Sequence, residues 1–320
     1  MIRSRTLSLA LFSLMMVVSM PAPAVAAASV TSTIDVGDAP VSVAFSPDGT
    51  KAYVANAAAN SVSVITVETG EVTDTILGIV YPYSVAFSPD GTKAYVASYQ
   101  GDSVAVITVE TGEIAFVISV GAAPYSLAIS PSGDRIYVTN SAADSVSVIT
   151  VGTGEVTDVI DVGDSPFSVA FSPNGKKAYV ANYYDNTVSV INVRKGTVAK
   201  TITVGAEPRA VAFTPNGTKA YTVNRGSGSV SVINVRKGKV TKTIDVGNGA
   251  NSVAFNPNGR TAYVTNGADD NLSVINVRKG NATTTINVGD RPYWAAFSPN
   301  GMMAYVTNAD GGTVSAISTR

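Results

Sequence analysis

At 320 residues, with 45% apolar and only 14% charged side chains, the chain has few groups to spare for solvent, which points to sheets covered on both faces. It contains no cysteine and no histidine, which excludes disulfides, thiolate nucleophiles and the commonest general base and transition-metal ligand. A net charge of −1 argues against a protein built chiefly to neutralise phosphates.

The chain opens with Arg3 and Arg5, an apolar run from Leu7 to Met20, and Ala-x-Ala sites at Ala24 and Ala26. That pattern is a secretory leader, too short to span a bilayer, with cleavage expected between Ala26 and Ser29. Residues 1–28 are therefore read as a signal peptide and 29–320 as one exported domain, secreted, periplasmic or at the cell surface. A strand over residues 30–36 follows, and nothing upstream of it can serve as its partner.

From Pro40 on, one unit is written seven times. The Ser46-Pro47-Asp48-Gly49 turn returns every 42 residues, with Thr or Asn replacing its Ser and Ser or Asn its Asp in later copies, and Tyr53, Tyr95, Tyr137, Tyr179, Tyr221, Tyr263 and Tyr305 keep the same step. In the first unit four strands are expected: Val41–Phe45, Lys51–Asn56, Ser61–Val67 and Val72–Ile79. The Pro-Asp-Gly turn joins the first two and "ETGE" joins the last two, both hairpin compositions. A repeat of this length with four antiparallel strands is a propeller blade. The seventh unit lacks a fourth strand. Ile34 lies 126 residues, three repeats, before its equivalent Ile160. The lone first strand should thus complete the last blade and close the ring, removing two unpaired edges.

Tyr137–Asn140, Tyr263–Asn266 and Tyr305–Asn308 read "YVTN", and Tyr53–Asn56 and Tyr179–Asn182 read "YVAN". With "VAFSPDGTKAYVAN" and the "VGxxP" lead-in, residues 29–320 resemble the YVTN-family β-propellers, which include domains of archaeal surface-layer proteins and exported bacterial proteins. The resemblance implies an all-β, seven-bladed propeller of four-stranded antiparallel blades, related to WD40, lactonase-type and d1-haem-type propellers. It implies no reaction, because the shared motif is a folding motif. The repeated Tyr should pack between blades, and the Asn of YVTN should bond backbone at the following turn.

Function is sought where the copies differ. The residue after the lead-in proline begins the innermost strand at the mouth of the central channel: Val41, Tyr83, Tyr125, Phe167, Arg209, Asn251, Tyr293. Beside that ring stand Trp294, the one tryptophan, and Glu207 and Arg291 from the position before the proline. An aromatic wall facing a cation–carboxylate corner suits a sugar, a peptide or an acidic small molecule. The candidate site is Tyr83, Tyr125, Arg209, Asn251, Tyr293 and Trp294, with Glu207 and Arg291. Loop carboxylates at Asp102, Asp144, Asp185, Asp269, Asp270 and Asp310 are scattered and read as turn residues rather than a Ca²⁺ site. Charge is also divided along the chain: blades one to three are acidic, and the "VRKG" turns at Arg194, Arg236 and Arg278 make the second half basic.

These features favour a non-catalytic binding or scaffolding propeller without a cofactor, displaying its mouth to an envelope protein, a glycan or a small ligand. The alternatives are a lactonase- or lyase-type enzyme with a metal in the channel and, third, a nucleic-acid-binding propeller resting on the basic half alone.

Overall fold

Short runs such as "SVSVIT" alternate β-branched residues with Ser or Thr, so both faces of each strand can be buried without large polar groups. In the computed structural model, which describes residues 28–319, every such run is a strand. Seven four-stranded antiparallel sheets result, each in simple up-and-down order from an innermost to an outermost strand. The chain is a seven-bladed β-propeller. The proposed leader lies outside the described residues, and among those residues no helix is long and apolar enough to cross a membrane.

The lone strand finds its partner where the repeat register puts it. Ser29–Asp35 lies antiparallel to Thr313–Ser318, with Ile34 opposite Val314, as the outermost strand of the blade built from Pro292–Phe297, Met303–Asn308 and Thr313–Ser318. In the first blade the strands run Pro40–Phe45, Lys51–Asn56, Ser61–Thr66 and Glu71–Leu77. The last of these stops two residues short of the expected Ile79, because Gly78 takes a φ of 91°.

Blades are joined through their flat faces. Six of the seven repeated Tyr are buried against the Phe of the next blade, as in Tyr53–Phe87 at 4.7 Å and Tyr137–Phe171 at 4.6 Å between ring centroids, and Tyr95 packs with Ile129 instead. Innermost strands are stitched as well: Val85 N–H donates to Ser42 Oγ at 3.3 Å and Ala295 N–H to Ser252 Oγ at 3.1 Å. The Asn of YVTN departs from expectation. Asn56 donates its Nδ2 to the side-chain oxygens of Ser61 and Ser63, at 3.2 and 2.9 Å, not to backbone. Its equivalents Asn140, Asn182 and Asn224 do the same. The "VG" lead-in has a matching reason: a Cβ on Gly121 would stand 2.6 Å from Asn140 Nδ2, so only glycine lets the buried amide through.

Burial pushes the phenols of Tyr179 and Tyr263 up to about 12. An unfolded chain ionises these groups near pH 10, whereas the folded one holds the protons. Their contribution is therefore complete below about pH 10 and lost as pH rises toward about 12. Urea midpoints should fall steeply across that interval. A midpoint that stays level through it would contradict the buried, protonated state.

Candidate functional site

All seven residues before the innermost strands adopt left-handed backbone, and only one of them, Gly249, is glycine. Ala39, Tyr81, Ala123, Ser165, Glu207 and Arg291 take φ between 50° and 54°. Such non-glycine strain persists only where surroundings enforce it. Here the enforcement comes from the preceding blade. The N–H of Tyr81, Ala123, Ser165, Glu207 and Arg291 donates to Asn60, Asp102, Asp144, Asn186 and Asp270 at 2.7 to 2.9 Å. The scattered loop carboxylates are thus braces for the rim, and two more, Asp185 and Asp269, accept from Asp164 and Asn248 N–H.

The braced strands aim four of the candidate residues at one point on the axis. Arg209 donates from Nη2 to Tyr125 OH at 2.6 Å and also to Tyr293 OH. Tyr293 OH in turn donates to Tyr83 OH at 3.1 Å and is hydrogen-bonded to Tyr125 OH. The guanidinium also lies over the Tyr293 ring, 4.7 Å from its centroid, and within 6.0 Å of Tyr125 and Phe167. Among the described residues no carboxylate pairs with Arg209. Burial drives the phenols of Tyr83 and Tyr125 well above their ordinary range, with Tyr293 beside them adding to the rise. They are neutral hydroxyls, able both to donate and to accept.

An aromatic arc extends from this cluster along one side of the mouth. Tyr83 packs on Tyr125 at 4.4 Å, Tyr125 stacks flat on Phe167 at 4.2 Å, and Phe167 stacks on Tyr183 at 4.6 Å. Tyr183 ends the arc by donating its hydroxyl to Glu207 Oε2 at 2.7 Å. Glu207 also faces Arg225 at 3.9 Å, and Arg225 N–H donates to the Glu207 carbonyl. The cavity beneath the rings measures about 10 Å³, so a ligand of any size must lie on the mouth side of the cluster rather than inside the channel.

Two of the expected site residues, Asn251 and Arg291, turn away from this point, and Trp294 borders it. Asn251 is buried and donates from Nδ2 to Pro292 O at 3.0 Å, a blade-to-blade bond. Trp294 is half-buried: it lines the small cavity together with Tyr83, Tyr125, Phe167 and Tyr293, and its other side packs on the core of the first and last blades. Arg291 is exposed and pairs with Asp310 at 2.9 Å. Trp294→Ala should therefore act on stability, by about 2 kcal/mol or more, since a large side chain would leave a void. An unchanged urea midpoint would mean that the ring does not support the blades. Tyr99, Tyr183 and Arg225 also stand at the mouth, outside the set expected from the strand starts. They share one position, directly after the YVTN Asn or its counterpart, whose N–H bonds the carbonyl of the strained rim residue. Copy-to-copy variation there carries the signal that was followed at the strand starts.

The family model described as "Lactonase, 7-bladed beta-propeller" matches residues 22–163, 155–284 and 197–320. The chain belongs to that family. Among solved structures, a chain of Kuenenia stuttgartiensis hydrazine synthase superposes with a TM-score of 0.82 at 23% identity, covering 88% of this chain and 96% of that one. That likeness shows the fold. No curated protein matches the chain. Membership of the lactonase propellers overturns the non-catalytic binding or scaffolding function expected from the sequence, which rested on the missing histidines and on repeats that serve folding.

The channel metal of the enzyme alternative does not fit the residues present. The axis carries a guanidinium, phenols and hydrocarbon, and among the described residues no group of three or more carboxylates could hold an ion. Hard cations take clustered oxygen anions, and a fixed positive charge already occupies the position.

Proposed function

We propose that this protein is a hydrolase that opens a cyclic ester, working without a metal on the mouth-side surface of the Arg209 cluster. The observation that carries the reading is Arg209 itself: a cation with no carboxylate of its own, held by phenols that leave guanidinium N–H groups to point at a developing oxyanion. Fixed donors in a partly desolvated site are the strongest aid to acyl transfer. Membership of the lactonase propellers supports the substrate class.

In this reading the lactone carbonyl oxygen takes hydrogen bonds from Arg209 and a phenol of the cluster, while the flat face of the ring rests on the mouth-side edge of the Phe167–Tyr183 stack. Glu207, oriented by Tyr183, Arg225 and its own strained backbone, serves as general base. It accepts a proton from water as the water oxygen bonds to the acyl carbon. The acyl–oxygen bond of the ring then breaks, and the same proton passes to the departing alkoxide. Lactone and water become one hydroxy acid. The Tyr183 phenol, pushed up by burial and further by its bond to Glu207, keeps its proton throughout.

The leader pattern at Arg3, Arg5 and Leu7–Met20 supports a place outside the cytoplasm for this activity, and the YVTN-type repeat is consistent with it. A pH-stat assay of the mature chain against five- and six-membered lactones tests the function. Acid release above the uncatalysed rate, unchanged by a chelator, is expected. No release from any lactone, or release that the chelator abolishes, would overturn the reading.

A further inference from the structure

On the face away from the mouth, three inter-blade grooves of about 530, 520 and 330 Å³ follow one another around blades three to six. Each is walled by a Ser/Thr/Asn-Pro-Asn-Gly turn or its counterpart and by the "VRKG" turn of the next blade. Arg194, Arg236 and Arg278 hold equivalent places in the three.

The cations here outnumber the anions: the one carboxylate lining the three grooves is Asp134 in the first, which accepts from the Ser130 and Ser132 hydroxyls and stands beside Arg135. From Ser172 on, every Asp and Glu of the chain falls in a mouth-side loop or at a mouth-side strand end. The ion pairs found among the described residues, Arg225–Glu207 and Arg291–Asp310, are also on the mouth side. Lys177, by contrast, is fixed by a backbone oxygen, donating to Val235 O at 3.2 Å, which positions its charge without cancelling it. One outer-strand slot shows how sharply the sign changes. A Cβ on the turn glycine beside it would meet Asp74 in the first blade and Asp158 in the third, but Lys200 in the fourth and Lys242 in the fifth. The acidic blades thus bound the basic arc.

The lining also indicates what kind of anion fits. No aromatic side chain lines the grooves, so there is no platform for stacked bases. No large exposed apolar side chain of blades four to six lies on this face to enter a bilayer, Tyr184 being on the mouth side. What accompanies the cations is a set of turn amides. Asn174 and Asn216 spend Oδ1 on their own turns, accepting from Lys176 and Thr218 N–H at 3.1 Å, and keep their NH₂ groups as donors. Cations spaced by amide donors in successive grooves match carboxylates or sulfates spaced by sugar hydroxyls.

We propose that blades four to six bind a linear acidic polysaccharide along this face, with an acidic group in each groove. The site is independent of the reaction at the mouth. The test titrates the mature chain with hexagalacturonate, with a neutral glucose hexamer, with a short DNA duplex and with phosphatidylglycerol vesicles. Binding of the acidic hexamer alone is expected, weakening at least tenfold between about 0.05 and 0.5 M salt as exposed charges are screened. Arg194→Glu, Arg236→Glu and Arg278→Glu combined should abolish it with an unchanged melting temperature, because all three are exposed. Arg209→Ala should leave it intact. Should the triple variant misfold, the salt dependence of the unaltered chain and its preference over the neutral hexamer carry the test. The proposal fails if the acidic hexamer does not bind, if the neutral one binds equally, if salt or the triple change has no effect, or if DNA or vesicles bind more tightly.

Discussion

Arg209→Ala is expected to lower kcat/KM for lactone hydrolysis by about a hundredfold or more, mostly through kcat. Removing one pre-aimed donor from an oxyanion site typically loses 10²–10³ in rate, about 3–4 kcal/mol. Arg209 donates from one nitrogen to two phenols, so its loss also frees Tyr125 and Tyr293 to reorient. Arg209→Lys should recover only part of the rate, because an ammonium keeps the charge but not the planar fork. Tyr183→Phe removes the bond that orients Glu207 while leaving its carboxylate in place, so it should cost less than either. Steady-state kinetics with melting curves for each variant decide the matter. An Arg209→Ala protein that folds and keeps full kcat would place the chemistry elsewhere.

Removing residues 29–36 should lower the thermal midpoint by about 10 °C or more. The strand Ser29–Asp35 contributes a full ladder to Thr313–Ser318 and buries Ile34. Ladder bonds are worth about 0.5–1.5 kcal/mol each and a buried isoleucine about 1.5–3 kcal/mol, which together come to about 5 kcal/mol or more. For a domain of this size each kcal/mol moves the midpoint by roughly 2–4 °C. The exposed edge of Thr313–Ser318 should also promote association between chains. Calorimetry and light scattering of the truncated protein report both effects. A truncated chain that melts with the intact one and stays monomeric would show that the first strand does not lock the ring.

Nearly all of the architecture could be read from residues, because a 42-residue period repeated without insertion leaves few alternatives: blade count, turns, buried tyrosines and ring closure all follow from register. The mouth was only half legible. Tyr83, Tyr125, Arg209 and Tyr293 meet because equivalent positions on neighbouring innermost strands must converge on the axis. Asn251 has the same place in its repeat, yet blade six has Ala250 where the others have proline, and its pairing with the next strand is irregular from Ala250 to Val253. The side chain is consequently turned toward the neighbouring blade. Trp294 is one residue further along its strand, where other copies carry serine or alanine, so it borders the small cavity of the cluster while also packing against the neighbouring blade. Function was least legible of all. The residues that repeat serve folding, and without histidine or cysteine no familiar catalytic pattern marks the site; Glu207 and Tyr183 come together only through a strained rim residue and a loop from the preceding strand pair.

The central claim is that acyl chemistry takes place on the Arg209 cluster without a metal. It is tested most directly by a crystal structure of the mature protein with the hydroxy acid produced from its preferred lactone. The product carboxylate is expected within hydrogen-bond distance of the Arg209 guanidinium, at about 2.7–2.9 Å, with its alcohol on the Glu207 side and the carbon chain over Phe167. A carboxylate bound away from the mouth, or one held by a metal ion, would contradict the account.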